Sequence, residues 1–83
     1  MKEKLIEIIR HNVSEVFEHV EITDSTKFIE DLGFESVALM QAIIEIEDFF
    51  EIEFSDVDFE HIESVGLMYE YVEQKVSDKE NEN

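Results

Sequence analysis

The sequence predicts an all-α domain, a small four-helix bundle of three longer helices and one short one, with a long loop between the first two. Three observations predict it. The chain has 83 residues, 43% of them hydrophobic, enough to fold as one small domain in spite of a formal net charge of -17. Apolar residues recur every three or four positions in separate stretches, the spacing of amphipathic helices. Between the first and second of these stretches the period is lost, and turn-forming residues take over.

The first helix is expected over residues 2 to about 18, where Leu5, Ile8, Ile9, Val13, Val16 and Phe17, followed by Val20, mark one buried face. His11 and His19 fall within it or at its end. His19, near the negative C-terminal end, reads as a cap or an exposed residue rather than a catalytic one, since no nucleophile is tied to it by sequence. Residues 21–34 form the long loop, with turns at Thr23, Asp24, Ser25 and Thr26. A loop of that length is packed down by its own side chains, and Ile22, Phe28, Ile29 and Leu32 are expected to do so.

The second helix is predicted over Ser36–Phe50. Advancing 100° per residue, Leu39, Ala42, Ile43, Ile46, Phe49 and Phe50 share one broad side that meets the core. Val37 and Ile44 fall elsewhere, about 20° apart and between Gln41 and Met40. Either a neighbouring helix covers this pair or it faces water or a partner.

Ser55-Asp56-Val57-Asp58 resembles a capping box, so the short third helix is expected at residues 56–61, with Phe59 and Ile62 closing the core. Asp58 and His61 lack the spacing and the glycine of an EF-hand loop, so no dedicated metal site is predicted. Ser64 offers the next N-cap, and Val65, Met68, Tyr69, Val72 and Val76 carry the last helix to about residue 76. The domain is thus expected to span residues 1–76. Residues 77–83 contain no apolar side chain to dock them and are expected to form a disordered acidic tail.

Composition narrows the function. A chain this short has no room for a deep catalytic cleft beside its core. The absence of cysteine removes disulfides, thiolate metal sites and cysteine nucleophiles, so any thiol the protein uses is borrowed. Its few Lys and Arg residues do not suit phosphate-rich nucleic acid. No apolar signal core opens the chain and no run approaches the roughly 18 apolar residues of a membrane span, so a cytoplasmic protein is expected. No Lys or Arg lies between Lys27 and Lys75, an interval that holds 14 acids. Partners with basic patches are expected, although such a charge run also serves simply as a solvated surface.

The chemistry centres on Ser36. It follows the turn Asp31-Leu32-Gly33-Phe34 and stands at the predicted start of an apolar helix, where unpaired N–H groups and the helix dipole favour a phosphate ester. By chemistry alone the same serine also reads as an N-cap. Residues 28–37, reading Asp31-Leu32-Gly33-Phe34-Glu35-Ser36-Val37 at their centre, resemble the attachment loop of acyl carrier proteins. That pattern is an aspartate-leucine-glycine turn, a short spacer, and aspartate-serine-leucine at the helix start. Glu35 here replaces the aspartate and Val37 the leucine. The similarity continues through Glu47-Asp48-Phe49-Phe50, Glu53-Phe54 and Ile62-Glu63-Ser64-Val65, covering the chain to about Val76.

The resemblance implies a four-helix carrier, likewise monomeric, that bears 4′-phosphopantetheine on Ser36, taken from coenzyme A by a phosphopantetheinyl transferase. Loading, condensing and modifying enzymes of fatty acid, polyketide or related biosynthesis would then act on a thioester held by the arm. It implies docking through Glu35, Val37, Met40, Gln41, Ile44, Glu45, Glu47 and Asp48, and an acyl-chain pocket or core formed by Phe28, Leu32, Met40, Ile43, Ile46, Phe59 and Ile62. The alternative is an acidic module that binds and masks a basic partner without modification. A serine hydrolase is disfavoured, because no G-x-S-x-G elbow surrounds Ser36.

Overall fold

The computed structural model describes residues 1–54 and 62–81. Over these run three α-helices, α1 (Lys2–His11), α2 (Ser36–Phe50) and α3 (Val65–Glu80), and a 3₁₀ turn at Glu15–Phe17. Among the described residues all regular structure is helical, apart from an isolated antiparallel bridge between Lys27 and Ser64. The short helix expected at residues 56–61, together with its cap Ser55 and with Asp58, Phe59 and His61, lies outside the described residues.

Helix α1 stops at His11, well short of residue 18. Asn12 ends it. Its side-chain amide donates to the Ile8 carbonyl at 2.9 Å, in place of a continuing backbone donor. The next backbone bonds, Asn12 N to Ile9 O and Val13 N to Arg10 O, have already tightened to three-residue spacing. Ser14 then caps the 3₁₀ turn by accepting from the Val16 N–H. The Arg10 guanidinium draws the chain back by donating to the carbonyls of Glu18 at 3.0 Å and Val20 at 3.2 Å. The helical spacing of Val13, Phe17 and Val20 persists because the folded-back segment still half-buries them, while Val16 points to solvent.

The core draws Leu5, Ile8 and Ile9 from α1, Ala42, Ile43 and Ile46 from α2, and Val65, Met68 and Val72 from α3. The long connection supplies Phe28, Leu32 and Phe34, with the two phenyl rings 5.6 Å apart, and Ile52 and Ile62 close it. Ile29, expected to help pack the loop, is 67% exposed, because Phe28 and Phe34 take the interior positions of that turn. Phe49, placed on the core side by its helical angle, is 53% exposed. Its ring meets the Phe50 ring edge-on and lies 4.8 Å under the Lys4 ammonium, whose stem and charge cover it instead of the core.

The connection is tied to the start of α3 by main-chain bonds from Phe28 N to Glu63 O, Val65 N to Thr26 O and Gly66 N to Asp24 O. Gly66 permits the last of these. A Cβ there would lie 2.8 Å from the Asp24 carbonyl oxygen. Thr26, the buried polar residue of this junction, accepts from the Thr23 N–H and donates to the Glu21 carbonyl. Asp24 also pairs with Lys2 at 2.7 Å and raises the pKa of its ammonium. Ser64 caps α3 as expected, accepting from the Leu67 N–H at 3.3 Å. The helix continues past residue 76 to Glu80, so residues 77–80 are helical rather than frayed. Polar bonds support this last turn, Gln74 to Asp78 at 2.9 Å within the helix and Lys79 at 3.4 Å from Glu51, the residue that ends α2.

Candidate functional site

The loop ahead of α2 is built around Lys27 and Asp31. The Asp31 carboxylate accepts from the Lys27 N–H at 2.8 Å, and the N–H groups of Asp31 and Leu32 return to the Lys27 carbonyl. Phe34 N then bonds to Phe28 O at 2.9 Å and closes the turn. Gly33 has φ +65°, and a Cβ on it would come within 2.4 Å of the Phe17 ring. Conformation and close packing both require glycine there. The acid and the glycine of this turn therefore hold the loop in shape, and the chain leaves it pointing into α2.

Glu35, not Ser36, is the N-cap of α2; it is extended, and its side chain makes no capping bond. Ser36 is the first helical residue. Its hydroxyl is exposed and bonds to no described residue. The first turn carries no acid, so the unpaired N–H groups and the positive end of the dipole stand beside a free hydroxyl. The capping reading of Ser36 is corrected accordingly.

The expected docking residues divide into two kinds. Val37 is 69%, Ile44 56% and Met40 48% exposed, and they line one outward strip of α2 with Gln41. No neighbouring helix among the described residues covers Val37 and Ile44. Met40 was also assigned to the core and does not belong there. The acids behave differently. Glu45 faces α1, where its carboxylate meets His11 Nδ1 at 3.2 Å and the Asn12 amide. Glu47 accepts from the Phe54 N–H at 2.8 Å and so ties down the segment after α2. Among the acids of α2 only Asp48 is both exposed and without a described bond, and Glu35 at the N-cap is its counterpart.

Of the expected pocket or core residues, Phe28, Leu32, Ile43, Ile46 and Ile62 are buried together, and Phe59 lies outside the described residues. Clefts open on both flanks of α2. One of about 430 Å³ is lined by Asn12, Ser14, Phe17, Gly33, Val37, Ala38 and Gln41, among others. The other, about 200 Å³, lies between Phe28, Ile29, Leu39 and Ile62 under the Lys27–Glu30 ion pair. Asn12 and Phe17 were missed as site residues, because the apolar spacing runs past Asn12 to Val20 and so reads as one continuous helix with Phe17 on its buried face. No group of three metal-ligating side chains occurs among the described residues, and none of their helices is long and apolar enough to cross a membrane.

A small all-helical domain with a free hydroxyl opening its central helix and an uncharged strip beside it is of the carrier-domain class. Residues 3–72 match the family described as phosphopantetheine attachment site, and the chain belongs to that family. Its cofactor is therefore covalently attached 4′-phosphopantetheine, and its partners include a transferase and biosynthetic enzymes.

Proposed function

We propose that Ser36 is the attachment residue and that the protein shuttles thioester-bound acyl intermediates between enzymes of fatty acid, polyketide or a related biosynthesis. The observation that carries the assignment is the free, exposed Ser36 hydroxyl at the first position of α2, within a family match that spans it. Attachment joins the Ser36 oxygen to the phosphorus that bears the pantetheine, breaks the bond from that phosphorus to the adenosine bisphosphate of coenzyme A, and gives up the hydroxyl proton. When bound, the arm supplies the terminal thiol that a chain without cysteine lacks. The residues of the chain fit a phosphodiester here. The first-turn N–H groups face the new negative charge, and no first-turn carboxylate opposes it.

The chain itself holds and presents, and bond-making on the cargo belongs to other enzymes. Phe28, Leu32, Ile43, Ile46 and Ile62 form the apolar interior that an acyl chain would enter. Val37, Met40, Gln41 and Ile44, with Glu35 and Asp48 at the margins, form the docking strip. Incubation with coenzyme A and a broad-specificity phosphopantetheinyl transferase is expected to add one arm, read by intact mass. Ser36→Ala is expected to gain none; a mass gain on that variant would overturn the assignment. The mass of the protein isolated from its host then identifies the cargo.

A further inference from the structure

We propose that the arm, in its unloaded state, lies in the groove between α1 and α2, held by Asn12, Ser14 and Gln41. This rests on the reading that Ser36 carries it.

The large cleft beside Ser36 does not end at the first turn of α2. A second opening, about 310 Å³ and lined by His11, Asn12, Gln41, Ile44 and Glu45, shares Asn12 and Gln41 with it. The two form one groove. On α2 its lining is the row Val37, Gln41, Ile44 and Glu45, spaced at positions i, i+4, i+7 and i+8 along one side of the helix, with Glu45 turned toward α1 and Val37 and Ile44 on the exposed outer margin. The row runs about 12 Å from Ser36 to Ile44 at 1.5 Å per residue.

The lining offers both kinds of group that the arm needs. The ring of Phe17 with Val37 and Ala38 offers apolar contact to the branched dimethyl carbon that follows the phosphate. The same cleft holds groups that suit two amides. The Gln41 side chain makes no bond to a described residue, so its carbonyl and its amide hydrogens are both available. The Asn12 amide nitrogen is already committed to Ile8 and Glu45, which holds the side chain still and leaves its oxygen to accept. Ser14 uses its oxygen as an acceptor from Val16, and its hydroxyl hydrogen remains to donate. Ile44 lines the far end of the groove. Glu45 also lines this end, its carboxylate engaged by His11 and the Asn12 amide.

The opposite flank offers less. That cleft is about half the volume, takes only Leu39 from α2, and is rimmed by the paired charges of Lys27 and Glu30. Neither neighbour of Ser36 lines it, whereas Glu35 and Val37 both line the α1 side. Tethering at Ser36 makes occupancy intramolecular, so weak contacts suffice.

The test compares ¹⁵N-labelled protein before and after enzymatic loading of the arm, with peptide mass mapping to locate it. Expected are shifts of the Asn12 and Gln41 side-chain amide signals and of the Phe17 and Ala38 backbone signals, with nuclear Overhauser contacts from the arm methyls to the Phe17 ring. Gln41→Ala, at an exposed position, is expected to return the Asn12 signal most of the way to its unloaded position while leaving the fold intact by circular dichroism. Shifts confined to residues 35–37 would show an arm free in solvent, and contacts to Leu39 and Ile62 would place it on the other flank. Either overturns the proposal alone. Absence of the arm, or its attachment elsewhere, is seen in the mass map before any spectrum and overturns the Ser36 reading with it.

Discussion

Two neighbouring backbone positions shape the site at the scale of single residues. Ser36 is free because Glu35 occupies the cap position, and the cap falls there because the Gly33 turn ends where it does. Gly33 does this in a left-handed conformation and directly against the Phe17 ring. Gly33→Ala is expected to destabilise the domain by about 1–2 kcal/mol from the backbone conformation alone, and by more because the ring must move. Urea unfolding checks the sum. The pair Gly33→Ala with Phe17→Ala separates the two effects: if the clash contributes, the double variant is less destabilised than the single changes added together. The turn motif and its glycine were legible in the sequence. The Phe17 contact was not, since it joins residues that no periodicity relates.

At the scale of elements, α2 has a division of labour that its sequence conceals. Glu45, Glu47 and Asp48 are adjacent or nearly so, yet one braces α1, one ties the chain after the helix, and one stands free. Charge reversal at these positions is therefore expected to have different effects. Glu47→Lys removes the acceptor of the half-buried Phe54 N–H and is expected to cost about 1–3 kcal/mol of stability, read by thermal or chemical unfolding. Asp48→Lys with Glu35→Lys is expected to leave stability within about 0.5 kcal/mol, while slowing association with a basic-rimmed enzyme and flattening its salt dependence. Ile44→Ala, at a position 56% exposed, is expected to stay folded and to speed dissociation from a partner instead. The effect is of order 1–2 kcal/mol if the side chain sits at the contact centre. Stopped-flow kinetics across a salt series distinguishes the two kinds of variant, and unchanged rates for both would mean that partners use another face.

The whole molecule carries its charge unevenly. All six Lys and Arg side chains are engaged at close range: Lys2 with Asp24, Lys4 with Glu7 and the Phe49 ring, Arg10 with two carbonyls, Lys27 with Glu30, Lys75 over the Tyr71 ring, and Lys79 with Glu51. None reaches the outer strip of α2. A net charge of -17 on 83 residues leaves repulsion that salt should screen. Raising ionic strength or adding millimolar divalent cations is expected to stabilise the protein by about 1 kcal/mol, or roughly 4–8 °C in Tm for a domain of this size. A melting temperature indifferent to both would show that the acids are too widely spaced to repel one another appreciably.

The sequence by itself determined the all-helical class, both ends of α2 and the Ser64 cap. Each of these depends on spacing or capping within a few residues, and local geometry decides it. Only the tertiary structure decided where α1 ends, which phenylalanines are buried, and which acids remain free. Asn12 stops its helix where its amide serves both Ile8 and Glu45, the latter 33 residues away. Phe49 and Ile29 have apolar side chains at positions that suit the core, but Phe28 is buried and Phe50 half-buried beside them, and these make the core contacts instead. A helical wheel ranks directions around one helix. It carries no information about how much space its neighbours leave, and that space, set by packing between segments distant in the chain, assigned these residues to the surface.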